Sequence, residues 1–249
     1  MYTSDNDKLF FQKLDDGARL CQVRRKPYFF SFMNEEQQAA AQKYLDSVHF
    51  EEYMFFGGCE NSERRVLGLF FDSPDQNEFP VDALEFKYRP CDKLTHRDFL
   101  GALMSLGIER EAVGDILVED GRCIVFVKSE IKDYVASQIF KIGRVGVSVS
   151  VADLSKLPQG RGVEELCFSV SSLRLDNLVA AVAGLSREKA KQLIIQGNVG
   201  HNYVTTQNIS KIVSEGDVLR IRGKGKYILK AVLGETKKHK IRIMITHFR

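Results

Sequence analysis

The chain has 249 residues, 28% charged and 44% hydrophobic, with five prolines and no tryptophan, a length that favours two or three domains, each able to bury a core. Its net charge of +3 conceals a division: residues 168–249 hold fifteen Lys and Arg against five acids, a net +10, leaving −7 on everything before them. Five dispersed cysteines without a C-x-x-C pair, a start lacking the basic and apolar regions of a signal peptide, and no apolar run of about 18 residues argue against a disulfide framework, secretion and membrane insertion, so a reduced, soluble, cytoplasmic protein is expected.

Residues 1–80 read as an N-terminal α/β region. Asp5 to Leu20 is loosely helical, and Asn34 caps a second helix whose first turn holds Glu35, Glu36 and Gln37. Tyr53–Phe56 and Val66–Phe71 read as two strands around a long charged turn, and Pro74 and Pro80 punctuate the exit. From 81 to 160 the order becomes strand, helix, strand, strand, helix, strand. Leu84–Tyr88 alternates as a half-buried strand should, and Thr95-His-Arg-Asp98 opens a helix that Gly107 stops. Asp120-Gly121 turns a hairpin, Ser129 opens a helix to about Phe140, and Val145–Val151 alternates again. That is the βαββαβ of a ferredoxin-like (RRM-like) domain. Leu157–Gly162 supplies a linker.

Residues 168–249 begin with two short helices. The first carries Leu175, Leu178, Val179 and Val182 and ends at Gly184. The second is capped by Ser186, turns Ala190, Leu193 and Ile194 inward and ends at Gly197. Strands follow at Val218–Ile221, Tyr227–Leu233 and Ile241–Thr246. The whole chain is thus of the α+β class, with the basic charge on a helix pair followed by a small sheet.

With Ala190 facing the core, Arg187 and Lys191 project along one flank of the second helix and Lys189, Gln192 and Gln196 along the other. These cations and amides surround a positive helix N-terminus, where phosphates are met by charge-assisted hydrogen bonds and dipole together. Lys224 and Lys226 sit in a glycine turn able to bring backbone N–H groups near a phosphate. Arg174, Ser186, Asn198 and Asn202 complete the candidate RNA-binding set. Arg187, outside the apolar stripe, is expected to be replaceable without unfolding. The bland reading is a solvated helix with ordinary surface lysines.

Leu173-Arg-Leu-Asp176, Leu178, Ser186-Arg187, Ala190, Leu193-Ile194, Gly197, Val199, Asn202 and Gly216-Asp217-Val218 resemble the S4-type (alpha-L) RNA-binding domain. Two departures stand out: His201 occupies a position usually small and apolar, and Tyr203 one usually glycine. Thr95–Ala102, Leu106-Gly-Ile108, Gly114-Asp-Ile116, Lys141–Arg144 and Arg222–Tyr227 extend the likeness over nearly the whole chain, which resembles the YlmH family of bacterial S4-domain proteins. The resemblance implies RNA binding through the C-terminal domain, action on rRNA or tRNA at the large ribosomal subunit in stalled-ribosome quality control, and a link to cell division.

Enzyme readings fail their context. His96-Arg97-Asp98 imitates a kinase loop, but Leu103 occupies the position that needs Asn. The histidines are dispersed and no Cys/His cluster suits zinc; Asp98 and Glu109-Arg110-Glu111 fit capping and surface roles. Asp176 is read as a helix-start cap. No catalytic residue, cofactor or metal is therefore expected. The alternatives are an RNA-modifying enzyme, such as a pseudouridine synthase or methyltransferase with an accessory S4 domain, and an adaptor binding proteins through the acidic N-terminal region. The ferredoxin-like unit is read as a packing or protein-contact domain, because Arg122–Val127 supplies only Phe126 for base stacking.

Overall fold

Helices begin where the sequence can satisfy their first N–H groups, and strands turn where glycine permits a left-handed residue. The structure is a computed structural model that describes residues 5–60, 62–158, 163–236 and 239–248. It divides into two compact units, Met1–Pro158 and Gln159–Arg249. The expected linker falls partly on residues 159–162, outside the described residues.

The first unit opens with α1 (Asp5–Arg24), β1 (Tyr28–Met33), α2 (Glu35–Ser47), β2 (Tyr53–Phe56) and β3 (Arg65–Leu69). Asn34 caps α2 as expected: its side chain accepts from the Gln37 N–H while the Gln37 side chain accepts from the Asn34 N–H, both at 2.9 Å. β2 and β3 pair antiparallel, but within a three-stranded sheet of order β1-β3-β2. The sequence reading passes over β1 because its aromatic run lacks alternation. Both of its faces are covered: Tyr28, Phe30 and Met33 pack toward Leu14 and Leu45, and Phe29 and Phe32 toward Phe70 and Phe126.

The central elements are β4 (Val81–Lys87), α3 (His96–Ser105), β5 (Val113–Glu119), β6 (Arg122–Lys128), α4 (Lys132–Gln138), a small hairpin of β7 (Lys141–Ile142) and β8 (Val145–Gly146), and β9 (Ser148–Val151). Their four-stranded antiparallel sheet has the order β5-β6-β4-β9, the βαββαβ arrangement that the element order predicts. Asp98 closes the start of α3 by accepting from the N–H and hydroxyl of Thr95, at 2.8 and 2.6 Å. Two expectations need correction. Ser129 opens a 3-10 turn and the α-helix starts only at Lys132, with Ile131, which has no side-chain acceptor, at its cap position. The single strand over 145–151 is interrupted, because Gly143 (φ +58°) folds its first residues into the β7–β8 hairpin.

One face of the central sheet lies under its helices, with Leu84, Phe86, Val125 and Val127 against Phe99, Leu103 and Val135. The other meets the N-terminal sheet, where Ile124 and Phe126 pack among Phe32, Val66, Phe70 and Phe79. A Cβ at Gly58 (φ +97°) would lie 2.2 Å from the Phe126 ring, so this contact needs glycine. The seam also holds charge. Asp115 accepts from the N–H groups of Glu63 and Arg64 at 2.6 and 3.0 Å, and the Arg64 guanidinium donates to the carbonyls of Phe32, Val113 and Arg110. Burial pushes the Asp115 carboxyl up and, with the neighbouring Arg64 charge, pulls Arg110 down to about 10.

The second unit contains β10 (Val163–Val170), α5 (Leu175–Ala183), α6 (Arg187–Ile195), β11 (Val199–His201), β12 (Val204–Thr205), β13 (Val218–Ile221), β14 (Gly225–Glu235) and β15 (Ile241–Phe248). The six strands pair antiparallel in the order β10-β15-β14-β13-β11-β12. Alternation puts Leu219, Ile221, Leu229, Ile243 and Ile245 on the inner face, where they form one core with Leu175, Leu178, Val179, Ala190 and Ile194 of the helices. β10 begins before residue 168, where the sequence sets the start of this domain. Its charged residues Glu164 and Glu165 sit on an edge strand and mask it as a loop.

Phe126 has no exposed surface and joins the two sheets of the first unit. Phe126→Ala is expected to lower the unfolding free energy by about 3–5 kcal/mol, read as a shift of the urea midpoint.

Candidate nucleic-acid interface

Gly184 ends α5 in the left-handed conformation (φ +63°), and Ser186 starts α6 by accepting from the Lys189 N–H at 3.3 Å. Ser186 is therefore a cap, with its hydroxyl committed to the helix. Ala190 and Ile194 are fully buried, as the helical wheel requires. The rest of α6 faces outward, with Lys189, Gln192 and Gln196 exposed and Lys191 half-buried, 3.5 Å from Glu188. Asn198 donates to the Gln196 side chain at 3.3 Å.

Asp176 organises this surface. Its residue has no exposed area, and an unpaired buried carboxylate would be strongly disfavoured. It accepts from Arg174 Nε at 3.1 Å, Arg187 Nε at 2.9 Å and the Asn177 N–H at 3.1 Å. Burial opposes its ionisation, but the two guanidinium groups outweigh burial and hold the carboxyl below its ordinary range. The cap position itself belongs to Arg174, so the reading of Asp176 as a helix-start cap is corrected: it is an ion-pair hub inside the first turn. Arg187 is likewise more than a surface cation. Its side chain is 51% exposed and that of Arg174 34%, so each spends one side of its guanidinium on Asp176 and turns the remainder outward. Replacing Arg187 must therefore also disturb the fold.

A second acid gathers donors in the same way. Asp217 accepts from Asn202 Nδ2 at 2.7 Å, the Ser214 N–H at 2.8 Å and His201 Nε2 at 2.8 Å. Burial opposes its ionisation as well, and these donors, Asn202 foremost, hold it below the carboxylate range. The Asn202 side chain also accepts from the Val218 N–H at 2.8 Å, so its polar atoms hold the turn together instead of facing a ligand. His201 is buried on the core side of β11, which explains how a position usually small and apolar accommodates it.

The glycine turn is closed on itself. Gly223 and Gly225 have φ of +75° and +105°, the Lys224 N–H is used by the Ile221 carbonyl, and the Lys224 carbonyl accepts from the Tyr227 hydroxyl at 2.9 Å. The Lys224 N–H is thus spent within the turn, which carries two lysines. Lys224 is exposed, and Lys226 leans over the rings of Tyr203 and Phe248.

The central sheet offers no base-stacking platform on the face where an RRM-like domain would carry one. Phe126 is buried beneath the N-terminal sheet together with Ile124 and Ala83, and one end of that face carries an ion-pair ladder of Glu119, Arg122, Glu85 and Lys87. Among the described residues no group of His, Cys, Asp or Glu is arranged to hold a metal ion, and no helix is long and apolar enough to cross a membrane.

Comparison with known proteins bears on this surface. Residues 74–156 match a family described as "Putative RNA-binding domain in YlmH". The chain is 37% identical over 244 residues to the ribosome-associated protein quality control protein P2 of Bacillus subtilis (strain 168), covering 96% of this chain and 94% of that one. Its fold is similar to that of the cell division protein ylmH from Streptococcus pneumoniae, with a TM-score of 0.53 at 24% identity over 62% of this chain and 96% of that one. The family description attaches RNA binding to the central unit, the segment for which the sequence favours packing or protein contact.

Asp176→Asn keeps the shape and removes the charge that holds Arg174 and Arg187. It is expected to destabilise the protein by about 2 kcal/mol, the order of a lost hydrogen bond to a charged group. Because the folded carboxyl titrates below the ordinary 3.8, the wild-type advantage is complete above that pH and shrinks as pH falls further. Thermal melts of both proteins across pH 3–7 check it, and a constant difference down to the acid limit would refute the assignment.

Proposed function

The chain belongs to the YlmH family, and from that premise we propose that it is an RNA-binding protein that acts at the ribosome and catalyses no reaction of its own. The observation that carries this is the pair of arginines pinned by Asp176 beside the N-terminus of α6. A guanidinium already oriented by a buried carboxylate loses little further freedom when it meets a phosphate, and its planar fork suits phosphate oxygens. The helix N-terminus, Lys189, Lys191 and Lys224 add positive potential. Gln192, Gln196 and Asn198 supply neutral hydrogen bonds at the rim. The targets we propose are rRNA and tRNA of the large subunit, in the quality-control setting named for the Bacillus relative; the family's link to cell division then follows from ribosome function.

Charge supports the C-terminal unit over the central one as the main phosphate contact. Residues 74–156 hold eleven Lys and Arg against fourteen acids, a net −3, where residues 168–249 carry +10. The family description favours a second reading, in which the central unit also touches RNA. With its sheet face covered, that contact would use its exposed loops. The acidic N-terminal region, which repels a polyanion, is proposed to meet a protein partner. The cavity of about 700 Å³ in the first unit is lined by a single acid, Glu60, and no histidine, so it offers an RNA-modifying activity no acid–base pair.

The test is co-sedimentation with large ribosomal subunits at several salt concentrations. Lys189 and Lys191 are the cations that can be removed without touching Asp176. A Lys189→Ala, Lys191→Ala double variant should keep the wild-type melt, bind more weakly, and lower the slope of log affinity against log salt by about two. Undiminished binding with an unchanged slope would mean that α6 is not the docking surface.

A further inference from the structure

On the outer face of the C-terminal sheet, opposite the helices, Arg220 of β13, Lys226 of β14 and Phe248 of β15 stand in one cross-strand row. The β11–β12 turn brings Tyr203 beside them. Lys226 Nζ lies 5.8 Å from the Tyr203 ring centre and 5.3 Å from that of Phe248. Both rings and the lysine remain partly exposed, and Arg220 is exposed. A cation between two aromatic rings, with a second cation alongside, pairs a stacking surface with charge for the phosphate attached to whatever stacks there.

The backbone of this turn supplies a second, independent argument. Asn202 and Tyr203 have φ of +49° and +66°, the two left-handed central residues of a tight hairpin turn. Asparagine is favoured at the first and glycine at the second. A tyrosine at the second position is strained, and such a residue persists only where its surroundings over-determine it. They do here: Asn202 is locked by Asp217 and the Val218 N–H, and its own N–H donates to the Val218 carbonyl at 2.8 Å. The pair of Asp217 with the buried His201 anchors the same network. Tyr203 is not among the residues of the buried core of this unit. The turn sets its aromatic side chain at the edge of a strongly basic surface.

We propose that Tyr203, Lys226 and Phe248 form a stacking site for an unpaired RNA nucleobase, with Arg220 and Lys226 meeting its flanking phosphates. It rests on the RNA-binding reading and adds a ligand class to it: single-stranded or looped-out nucleotides, where the α6 surface takes backbone phosphates. An aromatic ring stacks on any base and barely on a closed duplex, whose bases are already stacked.

The experiment uses the full-length protein with two probes, a single-stranded oligoadenylate carrying one 2-aminopurine and a blunt RNA duplex with the same number of phosphates. The variant is Tyr203→Gly, which restores the residue the turn prefers. It is expected to melt no lower than the wild type, to lose on the order of tenfold in affinity for the oligoadenylate together with the 2-aminopurine quench, and to bind the duplex unchanged. Tyr203→Phe should keep wild-type binding of both, since the ring and not the hydroxyl stacks. A wild type that binds both probes beside a Tyr203→Gly variant that binds them equally well would overturn the stacking site and leave the RNA-binding reading standing. Equal losses on both probes would also overturn it, showing a general electrostatic change. A wild type that binds neither probe would overturn both.

Discussion

The burial of Asp176 is the constraint on which the C-terminal unit's surface depends. A carboxylate without exposed area must find compensating charge, and the two available partners, Arg174 before α5 and Arg187 at the start of α6, come from either side of the helix pair. Satisfying the acid therefore fixes how α6 starts relative to α5. That in turn determines where the helix N-terminus, Lys189 and Lys191 present their charge. One acid in a basic module looks like a loss of positive potential, yet it converts two flexible cations into oriented ones.

Asp217 plays the equivalent part at the far edge of the sheet. It gathers His201, Asn202 and the Ser214 backbone, and so holds a strained left-handed turn in place. Both acids titrate below their ordinary range because hydrogen-bond donors outweigh burial. In each case an anion held by several donors pre-organises what the surface displays, guanidinium groups in one and an aromatic ring in the other. Basic surface alone would attract polyanions without holding any group in register.

The first unit is built on the opposite logic. The central sheet places apolar residues on both faces, and the N-terminal sheet covers the face that its helices do not. Phe32, Phe70, Phe79 and Phe126 form this second core, which commits the aromatic residue that might have stacked a base to packing instead. The charged groups at the seam, Arg64, Arg110 and Asp115, satisfy mainly backbone groups. They close part of the junction between the sheets, beside a cavity of about 700 Å³ lined by residues such as Phe56, Gly58, Glu60, Phe79 and Val81.

Local chemistry was enough to read the α+β class, the βαββαβ order, the caps at Asn34 and Ser186, the stops at Gly107 and Gly184, and the Asp120-Gly121 hairpin. These features depend on residues within a few positions of one another, where capping and turn preferences act. The basic third was legible from charge counting alone. The sequence by itself could not show β1, whose alternation vanishes because both faces are covered, or β10, whose acids make an edge strand resemble a loop. Nor could it show that Asp176 pairs with Arg187 eleven positions away, that Asn202 is spent on Asp217, or that Tyr203, Lys226 and Phe248 converge. Those facts arise from strand register and helix packing, which bring distant residues together through the burial of a shared core and leave no trace in the spacing of the residues themselves.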